Sequence, residues 1–150
     1  MNLRADVTFD FAGMKLVPAK LDAALQVGLA YSAVEVREAL DRKIAESPRG
    51  GHVYYSRRGD GTLHEASAPG VAFAEDTGET QNEIKMFLEN LHQNEVAVGW
   101  EGKKASEVAD LEFGTNDGRV APRPTVTPVA IESLPVVQDI VGNWLKDLMK

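Results

Sequence analysis

One periodic run governs what this sequence can fold into. From about Pro18 to Glu46, Leu21, Leu25, Leu29, Val36, Leu40 and Ile44 recur mostly at four-residue steps, with Ala24, Gly28 and Ala33 beside them. That spacing predicts one amphipathic helix with an apolar stripe, its other side carrying Lys20, Asp22, Glu35, Arg37, Glu38, Arg42 and Lys43. A helix over this run is about 43 Å long at 1.5 Å per residue, longer than so small a domain needs. Pro18 suits its first turn, where the missing N–H has no intrahelical partner anyway. Ser47-Pro48-Arg49-Gly50-Gly51 stops it, because a residue before proline disfavours helix and glycines release the backbone.

The flanking segments read differently. Leu3, Ala5, Val7, Phe9 and Phe11 alternate with Arg4, Asp6, Thr8 and Asp10, the period-two pattern of a strand with one buried face. From Gly50 to about Gly78 glycine, Pro69 and small polar residues leave little apolar surface. His52-Val53-Tyr54-Tyr55 reads as a short strand within an otherwise long loop, and such loops are generally functional or disordered. Glu83–Leu88 and Glu95–Trp100 read as two strands joined through Asn90–Asn94. Lys104–Phe113 reads as a short helix closed by Gly114, and Asn116-Asp117-Gly118 as a turn. Ala121-Pro122-Arg123-Pro124 is extended. A last helix runs from about Pro128 to Met149 with a potential break at Pro135; Val137, Ile140, Val141, Trp144, Leu145 and Leu148 form its stripe. Strands framed by helices without a βαβ rhythm predict an α+β fold with a mostly antiparallel sheet packed with a long N-terminal and a C-terminal helix. No repeat or boundary interrupts it, so residues 1–150 read as one domain.

Composition narrows the chemistry. The chain has 150 residues, of which 16 are basic and 23 acidic, a formal charge of −7. An acidic chain is a poor general nucleic-acid binder, because neutralising phosphates requires clustered Lys and Arg. It contains no cysteine, which removes thiolate nucleophiles, disulfides and sulfur-ligated zinc. No apolar run approaches the ~20 residues of a membrane span, and the first residues lack an apolar signal core, so a soluble intracellular protein is expected. His52, His64 and His92 are spaced unlike any helical metal motif. His64, beside Glu65 in a polar loop, is expected to be exposed. Arg58-Gly59-Asp60-Gly61 lacks the lysine and the following helix of a phosphate loop and reads as a turn. Glu75, Asp76 and Glu79 lack the order of a calcium loop and read as a solvated acidic segment. Arg57-Arg58 and Lys103-Lys104 are adjacent basic pairs without interleaved aromatics, so neither predicts a base-stacking surface. The residues by themselves give no catalytic constellation, no cofactor and no metal.

Three short motifs carry a resemblance. Ala66-Ser67-Ala68-Pro69-Gly70 followed by Asp76-Thr77-Gly78 is similar to an "(S/A)-x-P-G…D-T-G" loop. Val108-Ala109 then Glu112-Phe113-Gly114-Thr115 is similar to a "Y-A…E-F-G-T" segment. Arg123-Pro124 with Pro128 and Ala130 is similar to an "R-P-F-(L)-x-P-A" lead-in to a last helix. In that order, behind an N-terminal strand and long helix, they resemble the minor tail components of long-tailed bacteriophages and prophages, also called head–tail joining or tail-completion proteins. The resemblance spans roughly residues 5–148. Departures are Val108 in place of an aromatic, Thr125 in place of phenylalanine, Val129 between Pro128 and Ala130, and Glu79–Ile84 after the D-T-G.

The resemblance implies a non-enzymatic virion protein: a homo-oligomeric ring of six subunits, or of twelve, at the neck. Its partners would be head-completion or connector proteins, the tail terminator and the tail tube, with DNA passing through the lumen unbound. Interface candidates are Arg57, Arg58, His64, Pro69, Gly70, Asp76, Thr77, Gly78, Glu112, Phe113, Gly114, Thr115, Arg123 and Pro124. Phe113 is expected as a core anchor, Glu112 as a partner of Arg123, and the Arg123 guanidinium as reaching a neighbouring subunit. The Gly50–Gly78 segment is expected to dock neighbours, and the acidic balance to line the lumen with negative charge. A tail-terminator ring is the nearest alternative. A small metal-dependent hydrolase using Glu75, Asp76, Glu79 and His64, and a host cytoplasmic adaptor, are alternatives of other classes.

Overall fold

The spine of the fold is α1 (Pro18–Ala45), whose limits match the periodic run almost residue for residue. The computed structural model describes residues 18–56 and 59–148. The strand expected over residues 3–11, together with Arg57 and Arg58, lies outside the described residues. After α1 come β1 (Arg49–Tyr55) and β2 (Leu63–Ser67), α2 (Glu79–Asn82), β3 (Lys85–Phe87), β4 (Ala97–Gly99), α3 (Gly102–Phe113) and α4 (Val126–Asp147). The strands form two separate antiparallel pairs, β1 with β2 and β3 with β4. The architecture is α+β.

Two apolar clusters divide the length of α1. Towards its C-terminus, Leu40 and Ile44 pack with Phe73, Ile84, Trp100, Val108 and Val129. Towards its N-terminus, Ala24 packs with Val141 and Leu145 of α4, flanked by Leu21, Leu25, Leu29 and Leu148. Among the described residues, the C-terminal half of α1 packs over β3, β4 and the Trp100 cluster, and the N-terminal half packs on α4. Small residues set the closeness of that second contact. A Cβ on Gly28 would sit 3.1 Å from the Val141 Cα, and the buried Ser32 hydroxyl turns back to donate to the Gly28 carbonyl at 2.8 Å. Lys43 of α1 and Glu132 of α4 form an exposed ion pair at 3.1 Å.

Two elements differ from the sequence expectation. The last helix begins at Val126 and runs unbroken through Pro135. Pro135 and Ile131 are both exposed, so the carbonyl deprived of its intrahelical donor lies on the water side. The Gly50–Gly78 segment is no simple loop. It holds the β1–β2 hairpin, and Ala72 and Phe73 near its end are buried in the core. Gly50 and Gly51 serve less to end α1 than to carry the register shift of β1 between Arg49 and Val53. A Cβ on Gly51 would lie 2.3 Å from the Ser67 carbonyl oxygen, so a larger residue there closes off the pairing.

Candidate functional site

Ser67 and Gly70 of the first motif and the other two motifs, distant in the chain, meet at one junction between α3, the start of α4 and the end of β2. Its centre is the Glu112 carboxylate on the last turn of α3, 4% exposed. One oxygen accepts the N–H of Thr125 at 2.6 Å and of Val126 at 2.9 Å, and the other accepts the N–H of Thr127 at 2.9 Å. These are donors that the first turn of a helix leaves without intrahelical acceptors, and the positive end of the helix dipole favours an anion there. Thr125, at the N-cap of α4, provides no side-chain cap itself. Its hydroxyl instead accepts the Phe73 N–H at 3.0 Å and donates to the Arg123 carbonyl. Burial alone would raise the Glu112 pKa, but the Thr125, Thr127 and Val126 donors outweigh it and hold the carboxyl below its usual range.

The remaining motif residues fasten this centre. The Arg123 N–H donates to the Leu111 carbonyl at 2.7 Å, and its Nε donates to the Ser67 carbonyl at 3.0 Å. The Pro69-Gly70 turn is tied on by the Gly70 N–H, which donates to the Pro122 carbonyl at 2.8 Å. Gly114 ends α3 at φ 77°, and a Cβ there would meet the Val120 carbonyl oxygen at 2.8 Å. Thr115 closes the next turn: its hydroxyl donates to Asp117 at 2.6 Å and accepts the Val120 N–H at 3.0 Å. Pro124 is partly buried beside them.

Three expectations are corrected here. Glu112 does not pair with Arg123, because α4 offers it three converging N–H donors. Arg123 does not reach outward, because its guanidinium is turned onto the carbonyls of Ser67 and Ala121. Phe113 is no core anchor. It is 52% exposed, since Ala105, Val108 and Glu112 occupy the inward stripe of α3 and position 113 falls about 100° round the helix from it.

The hairpin forms the second part of the site. Tyr54 pairs with His64 on its inner face; Tyr55 pairs with Leu63 and Val53 with Glu65 on its outer face. His64 is 8% exposed, which corrects the expectation of an exposed histidine. The Tyr54 ring lies over it at 5.1 Å, its Nδ1 is 3.5 Å from Asp76, and Arg49 Nη1 sits 3.1 Å from both ring nitrogens. Asp76 also accepts the Ser56 hydroxyl at 2.6 Å. The carboxylate thus stands between hydroxyl and imidazole, whereas a nucleophilic relay needs the imidazole in the middle. Glu75 accepts the N–H groups of Asp76 and Thr77, the Thr77 hydroxyl accepts the Glu79 N–H, and Gly78 turns the chain into α2 at φ 85°. Through Asp76 the D-T-G motif clasps the turn end of the hairpin, at Ser56 and His64.

The outer hairpin face exposes three apolar side chains beside the carboxylate of Glu65. Tyr55 is 75% and Leu63 66% exposed, with Val53 beside them. Sequence reading identified the segment but not this face, because alternation over so few residues is hidden among glycines. Between α1 and α4 the exposed Tyr31 stacks on Trp144 with centroids 5.7 Å apart. Among the described residues no three His, Asp or Glu side chains gather as a metal site, and no helix is long and apolar enough to cross a membrane. Comparison with protein-family models, curated proteins and solved structures returned no match.

Proposed function

We propose that this chain is a structural subunit of the neck of a long-tailed phage, forming a homo-oligomeric ring that joins the head connector to the tail and lets DNA pass. The observation that carries the reading is the junction around Glu112. The Pro69-Gly70 turn and the other two motifs that resemble the tail-completion proteins are knitted together by Glu112, Arg123 and Gly70, while Asp76 of the D-T-G ties down the hairpin. Their residue types have structural work: a buried acceptor, a left-handed glycine, and a turn pinned to the α4 lead-in.

The surfaces favour assembly over solitary action. A hairpin presenting Tyr55, Leu63 and Val53 to solvent is costly for an isolated particle, and exposed apolar patches mark interaction sites. Phe113, also exposed, lies beside the motif junction and serves as a contact for a virion neighbour. The charge of −7 suits a ring through which DNA slides without sticking, with acidic residues on the bore.

Immunogold electron microscopy of virions with antibody to this chain tests the reading. Label at the head–tail junction supports it; label absent from virions, or on the capsid or the distal tail, overturns it.

A further inference from the structure

We propose that the free edge of β1 pairs with the same edge of a second copy of this chain. Residues 53–55 of the two copies lie antiparallel about a two-fold axis at Tyr54, joining two hairpins into one four-stranded sheet. The contact does not depend on the ring reading. The Ser56 N–H donates to the Thr62 carbonyl at 2.8 Å, so the bonded pairs of this antiparallel ladder are 56 with 62 and 54 with 64. The N–H and C=O groups of Val53 and Tyr55 therefore point away from β2. Among the described residues β2 is the only strand beside β1, and no other backbone group bonds these four. The side chains from His52 to Tyr55 are exposed on both faces of the strand.

The opposite edge of the hairpin is already taken: the Glu65 and Ser67 carbonyls of β2 accept Arg49 and Arg123, each at 3.0 Å. Over residues 50–55, β1 has no proline, lysine, arginine or carboxylate, the residues that commonly keep an edge strand from pairing. Its register shift lies before Val53, which leaves 53–55 regular. What pairs with a bare strand edge is another extended strand, and each further copy brings one. The two-fold register also suits the side chains. Val53 stands opposite the partner's Tyr55, a β-branched residue against an aromatic. With Leu63 beside Tyr55, the two apolar outer faces become continuous. The two exposed Glu65 carboxylates fall at opposite corners, about 16 Å apart at strand spacings of ~4.8 Å and ~3.4 Å per residue, beyond the ~8 Å screening length. On the inner face the two Tyr54 rings meet, which extends the Tyr54–His64 ring contact of each copy into one row. A two-fold axis relates copies facing opposite ways, so within the ring reading this contact fits twelve copies, as two rings of six face to face.

Full-length Val53→Pro and Val53→Thr test the contact. Proline removes an outward N–H that the hairpin does not use and is tolerated on such an edge, whereas threonine keeps both the N–H and the branched shape. Circular dichroism with thermal melting verifies that both fold. Sedimentation over a concentration series should find Val53→Thr associating like wild type and Val53→Pro about tenfold or more weaker, since two hydrogen bonds are lost per contact. Association of Val53→Pro equal to wild type overturns the contact. The chain has no cysteine, so Tyr54→Cys reads the register independently. Across the two-fold the Cα atoms of this non-bonded pair stand about 4.5 Å apart, within disulfide reach, and mild oxidation should give covalent dimers. Linkage no greater than that of Ile131→Cys, exposed on α4, overturns the contact. Wild-type dimers that grow no further keep the contact and remove the ring. A wild-type ring that Val53→Pro leaves intact keeps the ring and removes the contact.

Discussion

The Glu112 carboxylate caps a helix that begins fourteen residues after it, accepting the Thr125 N–H at 2.6 Å as the nearest of three backbone donors. Through this relationship the end of α3 fixes the start of α4, and the segment 114–124 is held between them. The junction rests on one buried charge satisfied by backbone amides, an arrangement that is strong when complete and costly when a partner is lost.

Replacing Glu112→Gln keeps the shape but removes the charge and turns one donor against another. It should cost about 2 kcal/mol at neutral pH, the scale of a charged hydrogen bond at a helix N-terminus. The native carboxyl has a lowered pKa, so its contribution is complete above the unfolded value of about 4.3 and disappears as pH falls through the lower folded value. Urea unfolding of both proteins should show a clear gap at neutral pH that closes below about pH 4. A gap that stays constant down to acid pH contradicts the assignment.

Gly114→Ala should be among the most damaging single-methyl changes in the chain. It combines φ 77° with a Cβ placed 2.8 Å from the Val120 carbonyl oxygen and 2.9 Å from Pro122. A loss of about 2–3 kcal/mol is expected for strain of this kind. Gly61→Ala, at the same φ of 77° but in open space, should lose only about 1 kcal/mol. Denaturant midpoints of the two variants measure the difference directly.

Thr125→Val tests the link from the junction to the core. The residue is fully buried and its hydroxyl accepts the Phe73 N–H at 3.0 Å. Valine fits the volume but strands that amide, which should cost about 1–3 kcal/mol. Hydrogen exchange at Phe73 should quicken in the variant; unchanged exchange and stability would remove the link.

Phe113→Ser should separate stability from assembly. With more than half of its surface in water, the side chain contributes little to folding, and a change within about 0.5–1 kcal/mol is expected. Binding to purified tails should weaken about tenfold or more, as for an aromatic interface anchor. A large drop in melting temperature would return Phe113 to the core.

What the sequence disclosed follows from how local each signal is. α1 was legible because its stripe repeats over seven turns, and the 116–118 turn because Asn-Asp-Gly has few other uses. β3 and β4 emerged near their expected places, around the turn at Asn90–Asn94. The hairpin partner Leu63–Ser67 did not, because His64 owes its burial to Tyr54, Arg49 and Asp76, none of which lies next to it in the chain. Phe113 misled because an aromatic before glycine looks like an anchor. The decisive signal was the position next to it: Glu112 falls four residues after Val108 on the inward stripe, where a charge is tolerable only with buried donors waiting. Those donors belong to α4, so only the fold reveals them.

The central claim is that this chain acts as a ring subunit at the neck. Mass measurement of the purified protein, alone and mixed with isolated tails and DNA-filled heads, tests it most directly. The account requires one closed oligomer of six or twelve copies that binds to tails or to filled heads. A monomer at every concentration, inert towards both, would contradict it.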